Sequence, residues 1–283
     1  MKTNIKKTTF HKQTFWFTLL LILFSTFELS IFAQGNLLVY PTRIVSDGKK
    51  MSEKIVLTNT GKDSAVYDIS FIEYKMTKYG EMKIINEPEE GMNFASPNLR
   101  YFPKKVILAP FQSQTLKVQV RNTQSLKDGE YRSHLYFRSK ERSKKIKNNE
   151  QATTSEVSVK LKPVIGVSIP FIYRKGTNTT TSSISDLQLV QQNREETFVK
   201  FNLNRIGNMS IYGDFTATFK DQKNKTHTVS YVQGVGVYTP ENLRIIKLKL
   251  SIPEGLNLKD GTLQVVFTKN ESQEVLSEAN LIL

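Results

Sequence analysis

From Val157 to Tyr173 every odd-numbered position is apolar: Val157, Val159, Leu161, Pro163, Ile165, Val167, Ile169, Phe171 and Tyr173. Side chains of a strand alternate between its two faces at about 3.3 Å per residue, so this run predicts one continuous apolar face. It is far longer than the ordinary strand of about five or six residues. Such a strand serves two sheets, or one sheet and a partner. A long apolar edge without blunting charges is a template for pairing with another chain, either a client or a second copy of the protein. The plainer alternative is a strand that runs between two packed domains.

The rest of the chain repeats the pattern on a shorter scale. Segments rich in Val, Ile, Phe, Tyr and Thr recur between Gly, Asn, Asp and Pro, and helical periodicity is nearly absent. This predicts antiparallel β-sandwiches. Predicted strands are 37–45, 53–59, 66–75, 99–108, 114–121, 130–139 and 157–174, then 184–191, 197–204, 210–220, 226–231, 244–252, 261–268 and 279–283. In KIVLTN, Ile55 and Leu57 share a face; in TLKVQV, Leu116, Val118 and Val120 point inward while Lys117 and Gln119 point out. The polar stretch KGTNTTTSSIS, 175–185, reads as the linker between two domains. Beyond it, KFNLNRIGNMSIYGDFTATF reads as a hairpin turning at Ile206, Gly207 and Asn208.

The first 33 residues carry Lys2, Lys6, Lys7 and Lys12, then the apolar run FWFTLLLILF, then a polar break and Ala33. That is the pattern of a cleaved export signal, and the apolar run is short for a membrane span. The expected organisation is a signal at 1–33, a first domain at 34–175 and a second at 176–283, with no membrane span in the mature chain. There is no cysteine, which excludes disulfides, thiolate metal sites and lipid attachment through a thiol. A formal net charge of +14 favours anionic surfaces as partners. Nucleic acid is disfavoured, since there is no basic helix or aromatic–basic recognition module and the signal sends the chain away from it. Arg138, Lys140, Arg142, Lys144, Lys145 and Lys147 cluster just before the long apolar run, in a segment with almost nothing apolar. It reads as a solvated loop, or as a basic arm that holds a partner.

Chemistry-bearing motifs are scarce. His11 lies in the signal, and His134 and His227 fall in different domains without ligand spacing, so no metal site is expected. There is no phosphate-cradling glycine loop, no G-x-S-x-G elbow and no H-E-x-x-H helix. The pairs Glu89 with Glu90 and Glu195 with Glu196 lie beside turns, as solvated carboxylates do. The expectation is a non-enzymatic protein that needs no cofactor.

The segments YPTRIVSDGKKMSEKIVLTNTGKDSAVYDISFIEY (40–74), SPNLRYFPKKVILAPFQSQTLKVQVRN (96–122), GEYRSHLYFRS (129–139) and the long strand ending in IYR (172–174) follow one another in an order that resembles the PapD-type periplasmic pilus-assembly chaperones. The resemblance implies two immunoglobulin-like domains set at an angle around a cleft, a periplasmic location, and ATP-independent capping of a secreted β-rich subunit, delivered to an outer-membrane usher. It implies that Val157, Val159, Leu161, Pro163 and Ile165 are donated to the subunit's unfinished sandwich, and that Arg43 anchors the subunit's terminal carboxylate. The family's cleft lysine falls on Pro170, which has no charge to give. Arg174 matches a further arginine of the family, and its position fits either a second anchor or a structural ion pair. Pro163 interrupts the ladder, because proline donates no hydrogen bond. The alternative function is a non-enzymatic envelope-binding module with the same two domains. A third is an adhesin-like protein that makes its contact through the second domain.

Overall fold

The computed structural model describes residues 37–50, 52–140, 164–191, 196–270 and 272–283. Apart from one 3-10 turn at Ser96–Asn98, the regular structure is all strand, arranged as two immunoglobulin-like β-sandwiches in tandem. In the first sandwich one sheet pairs, in order, β1 (Leu37–Tyr40), β3 (Ser52–Asn59), β8 (Ser113–Val120) and β6 (Leu99–Phe102). The other runs β2 (Ile44–Ser46), β10 (Gly166–Lys175), β9 (Gly129–Lys140), β4 (Ala65–Met76) and β5 (Met82–Ile85), and β7 (Lys105–Leu108) also pairs with β4. All of these pairings are antiparallel except that of β2 with β10.

The alternation of the sequence sets the register. Ile55 and Leu57 on β3, and Leu116 and Val118 on β8, are fully buried, and Ile55 lies directly opposite Leu116. Each such side chain contributes about 1.5–3 kcal/mol by leaving water. Across the core, Tyr101 of β6 donates its hydroxyl to the Ile69 carbonyl of β4 at 2.8 Å, tying the two sheets together.

The second sandwich pairs β11 (Thr181–Gln191), β12 (Thr197–Ile206) and β15 (Leu243–Lys249) in one sheet. The other has the order β14 (Thr226–Val237), β13 (Ile211–Lys220), β16 (Thr262–Lys269) and β17 (Val275–Ile282). Phe201 of the first sheet meets Phe215 of the second edge to face at 5.0 Å, and Phe215 stacks on Phe267 at 4.6 Å. Aromatic pairs at these separations add about 0.5–1.5 kcal/mol beyond area burial.

Several sequence expectations are corrected. The strands predicted at 37–45 and 99–108 are each two strands, interrupted at Pro41 and Pro103, and in both cases the chain crosses from one sheet to the other. A proline has no amide hydrogen for the ladder, so the pairing stops there. The hairpin predicted at Lys200–Phe219 is not one: β12 and β13 belong to different sheets. The buried Arg205 forms this corner, donating to the Glu241, Gly207 and Met209 carbonyls and to Asn242 Oδ1. The predicted linker at 175–185 shrinks, because Lys175 still belongs to β10 and Thr181 begins β11. Strand β5 escaped notice since it pairs only with β4 and leaves Met82, Lys83 and Ile84 exposed.

Of the long strand predicted at 157–174, residues 157–163 lie outside the described residues. Strand β10 begins at Gly166, and Val164 and Ile165 lie outside it. There the Ile165 amide donates to the Ser139 hydroxyl, while the Ile165 carbonyl still accepts from the Ser139 backbone amide at 2.9 Å. Ile169, Phe171 and Tyr173 belong to the core of the first sandwich itself, so this half of the apolar face is structural.

Candidate functional site

Strand β2 is only three residues long and pairs with Phe171, Ile172 and Tyr173 of β10. Before Phe171, β10 continues from Gly166 to Pro170 with β9 on one side. No described strand takes the other side. Among the described residues this edge of the sheet is open up to where β2 begins, at Ile44, and Arg43 stands at that boundary.

Arg43 does not project freely into solvent. Its Nη1 donates to the Tyr238 hydroxyl at 2.6 Å, and its guanidinium lies 4.1 Å from the centroid of the Tyr212 ring and 5.3 Å from that of Tyr238. Both tyrosines come from the second sandwich, on β13 and just after β14. A guanidinium on aromatic faces keeps its charge while being held in place.

On the face of the β2-containing sheet that carries Arg43 and Val45, the register places Ile172 beside Arg132 and Pro170 beside His134. Arg132 is 5% exposed. Its Nη2 donates to the Tyr74 carbonyl at 3.2 Å and its guanidinium packs 4.4 Å from the Tyr238 ring, but its buried Nη1 has no partner. Burial pushes its pKa down from the usual arginine value, which measures how poorly its charge is solvated. His134 meets the Tyr74 ring edge to face at 4.8 Å, with Nδ1 buried and unpartnered. Burial, and then the charges of Arg132 and Arg43, lower its pKa to about 3, so it is neutral at physiological pH.

Arg174 has a different set of partners. Its Nε donates to Glu130 Oε2 at 3.0 Å, and its Nη2 donates to the Ser210 carbonyl at 2.8 Å. Glu130 also accepts from the Ser210 amide and hydroxyl. This buried network links β9 and β10 of the first sandwich to the start of β13 in the second.

A second link comes from the turn after β4. Met76, 1% exposed, packs into the core of the second sandwich, and the Lys78 carbonyl accepts from the Ile245 amide at 2.7 Å. Gly80 lies so close to the Arg244 guanidinium that a Cβ there would come within 2.5 Å of it.

Of the residues expected in the site, Val157, Val159, Leu161 and Pro163 lie outside the described residues, as do Arg142, Lys144, Lys145 and Lys147. Ile165 is half-buried and bonded to Ser139. Arg138 is exposed on β9 opposite Gly166, and Lys140 pairs with Asp68 at 3.3 Å in an exposed contact of little energetic weight. Arg132, Tyr212 and Tyr238 were not anticipated. Nothing in the local sequence around Arg132 and His134 announces that a second domain covers them. Among the described residues no group of three or more His, Asp or Glu could hold a metal ion, and no helix is long and apolar enough to cross a membrane.

No family model matches the chain, nor does any curated protein. Among solved structures it is similar to the class 5 fimbriae chaperone CfaA, at 17% identity over 87% of this chain and 98% of that one, with a TM-score of 0.41. It is also similar to the CupB2 chaperone of Pseudomonas aeruginosa, at 9% identity over 87% and 100%, with a TM-score of 0.42. A third is a chain of the CsuC–CsuE chaperone–tip adhesion subunit pre-assembly complex from archaic chaperone-usher Csu pili of Acinetobacter baumannii, at 10% identity over 87% and 98%, with a TM-score of 0.44. At these values the functional reading rests on the junction's own residues.

Proposed function

We propose that this protein is an exported, non-enzymatic chaperone that receives an extended strand of a β-rich secreted subunit along the open edge of β10. The observation that carries the reading is the three-residue length of β2, which among the described residues leaves Gly166–Pro170 paired on one side only and sets Arg43 at the end of the gap. A client strand lying in line with β2 and parallel to β10 would bring its C-terminal carboxylate to Arg43. Backbone pairing along an exposed edge supplies affinity without sequence specificity, while alternate side chains supply selection. In this reading Val157, Val159, Leu161, Pro163 and Ile165 carry on the odd-numbered apolar series and are given to the client's core. The basic cluster from Arg138 to Lys147 lies ahead of them, and a usher-type outer-membrane protein is the destination of the complex. Arg174 serves as a structural ion pair rather than an anchor, since its donors are committed to Glu130 and Ser210.

The test is affinity purification of the tagged protein from the envelope of its own host, a high-salt wash, and mass spectrometry of what stays bound. One or a few small β-rich secreted proteins should remain, and Val159→Asp or Leu161→Asp should lose them while melting cooperatively at the wild-type temperature. Exposed charge contacts are screened over about 8 Å at physiological ionic strength, so partners released by salt would point instead to an envelope-binding module.

A further inference from the structure

We propose that the outer face of the β1–β3–β8–β6 sheet docks on an anionic lipid surface. The inference is independent of the strand-capping reading, since β10 lies in the other sheet of the first sandwich and its edge stays free when this face is covered. The alternation that buries Ile55, Leu57, Leu116 and Val118 turns the residues between them outward. On that outer side Lys54 of β3 stands directly opposite Lys117 of β8, and Lys117 stands opposite Phe102 of β6. Two residues along β3 from Lys54, Val56 is opposite Tyr40 of β1. Phe102 is 78% exposed and Tyr40 70%. Each ends an edge strand just before the chain crosses to the other sheet, so the two rings stand at opposite margins of the face.

The charge on this face has one sign. Lys54 and Lys117 oppose each other, Arg100 lies two residues before Phe102 on the same side, and among the described residues none of the three pairs with an Asp or Glu. The single acid in the four strands, Glu53, lies opposite the buried Val118 and so belongs to the inner face. Like charges directly opposite one another weaken a sheet, and an arriving anion relieves that cost. Charge complementarity therefore calls for an anionic partner. The rings of Tyr40 and Phe102 are separated by the lysine row rather than gathered into the contiguous apolar cluster that anchors a protein partner. Separate apolar bodies beside cations suit a bilayer instead, where the rings reach the acyl boundary while lysine and arginine heads meet lipid phosphates.

The mature chain carries a clean optical test, because the sole tryptophan, Trp16, lies within the expected signal. Phe102→Trp places a single reporter on the proposed face, and Tyr231→Trp places one on the exposed surface of the second sandwich. Vesicles of equal parts phosphatidylglycerol and phosphatidylcholine should shift the Phe102→Trp emission to the blue and leave Tyr231→Trp unchanged. Vesicles of phosphatidylcholine alone should shift neither. An unshifted Phe102→Trp spectrum on the mixed vesicles would overturn the lipid assignment and leave the face to an acidic protein. A shift of equal size in Tyr231→Trp would overturn it as well, by showing adsorption without a preferred face. Charge is tested by sedimentation with the mixed vesicles. The double variant Lys54→Gln with Lys117→Gln should bind about thirtyfold more weakly than wild type, the worth of two cations at an anionic surface. Lys200→Gln with Lys220→Gln, the same loss of charge on exposed positions of the second sandwich, should weaken binding by less than about threefold, because distant charges are screened. Equal weakening by the two pairs would mean that net charge alone drives the association, and would refute the site. Both double variants should melt at the wild-type temperature, since all four side chains are exposed.

Discussion

The Glu130 carboxylate, on the first sandwich, accepts the Ser210 hydroxyl of the second at 2.5 Å and the Ser210 amide at 3.0 Å, and both residues are almost completely buried. Arg174 neutralises the carboxylate from β10. Removing one member of a buried charged pair leaves the other uncompensated, which costs about 3–5 kcal/mol. Glu130→Ala is therefore expected to destabilise by that amount and to split thermal unfolding into two calorimetric transitions. Ser210→Ala, which keeps the amide contact, should cost about 1–3 kcal/mol. A Glu130→Ala protein that melts as one transition within a degree or two of wild type would mean that the network does not couple the sandwiches.

Met76 lies at the end of β4 in the first sandwich but is buried among Phe201, Val237, Ile246 and their neighbours in the second. Truncation of such a side chain costs about 2–5 kcal/mol. The loss after Met76→Ala should fall on the second sandwich: amides of β12 and β15 should exchange faster, while those of β3 and β8 keep their protection. Equal loosening of both cores would show that Met76 acts only through the stability of the first.

What the sequence made legible divides along the same line. Strands β3 and β8 were readable because Ile55, Leu57, Leu116 and Val118 alternate with polar residues on one buried face. The long apolar series was readable as well, but sequence periodicity does not say whose core it fills, and Ile169, Phe171 and Tyr173 fill that of their own sandwich. Pro41 and Pro103 each sit between two short apolar stretches that read as one strand, so the crossings they mark were missed. The junction was the least legible part. Met76 lies just past the strand predicted at 66–75, nothing local marks Arg132, and Tyr238 is distant in sequence from Arg43 and Arg132, which it meets.

His134 gives the protein a pH dependence of defined sign. Its folded pKa, about 3, lies below the unfolded value of 6.5, so the unfolded chain binds the extra proton between those two values. Its contribution is complete above pH 6.5 and is lost as pH falls towards 3, at up to about 1.4 kcal/mol per pH unit. The groups facing it are the Tyr74 ring and the guanidinium groups of Arg132 and Arg43. His134→Phe keeps an aromatic ring against Tyr74 and should flatten the decline in urea-unfolding free energy between pH 6.5 and 4.5. The same decline in the variant would assign it to the carboxylates.

Gly207 and Gly255 separate the two reasons a position can demand glycine. Both adopt positive φ, 124° and 79°, where a side chain is strained. At Gly255 an added Cβ would meet nothing within 4 Å, whereas at Gly207 it would lie 2.5 Å from Thr180 Cα and 2.8 Å from the Thr179 carbonyl oxygen. Those are backbone atoms, so they cannot turn aside as a side chain would. The Gly207 carbonyl also accepts from the buried Arg205 Nη1 at 2.7 Å, so a shift here would disturb the corner between β12 and β13. Gly255→Ala is expected to cost about 1–2 kcal/mol, the ordinary penalty of a left-handed residue. Gly207→Ala should cost at least about 2 kcal/mol more, by addition of a steric and a hydrogen-bonding loss. Chemical denaturation of the two variants side by side gives the difference directly, and equal losses would mean that the β12–β13 corner yields to a methyl group without disturbing the cores it joins.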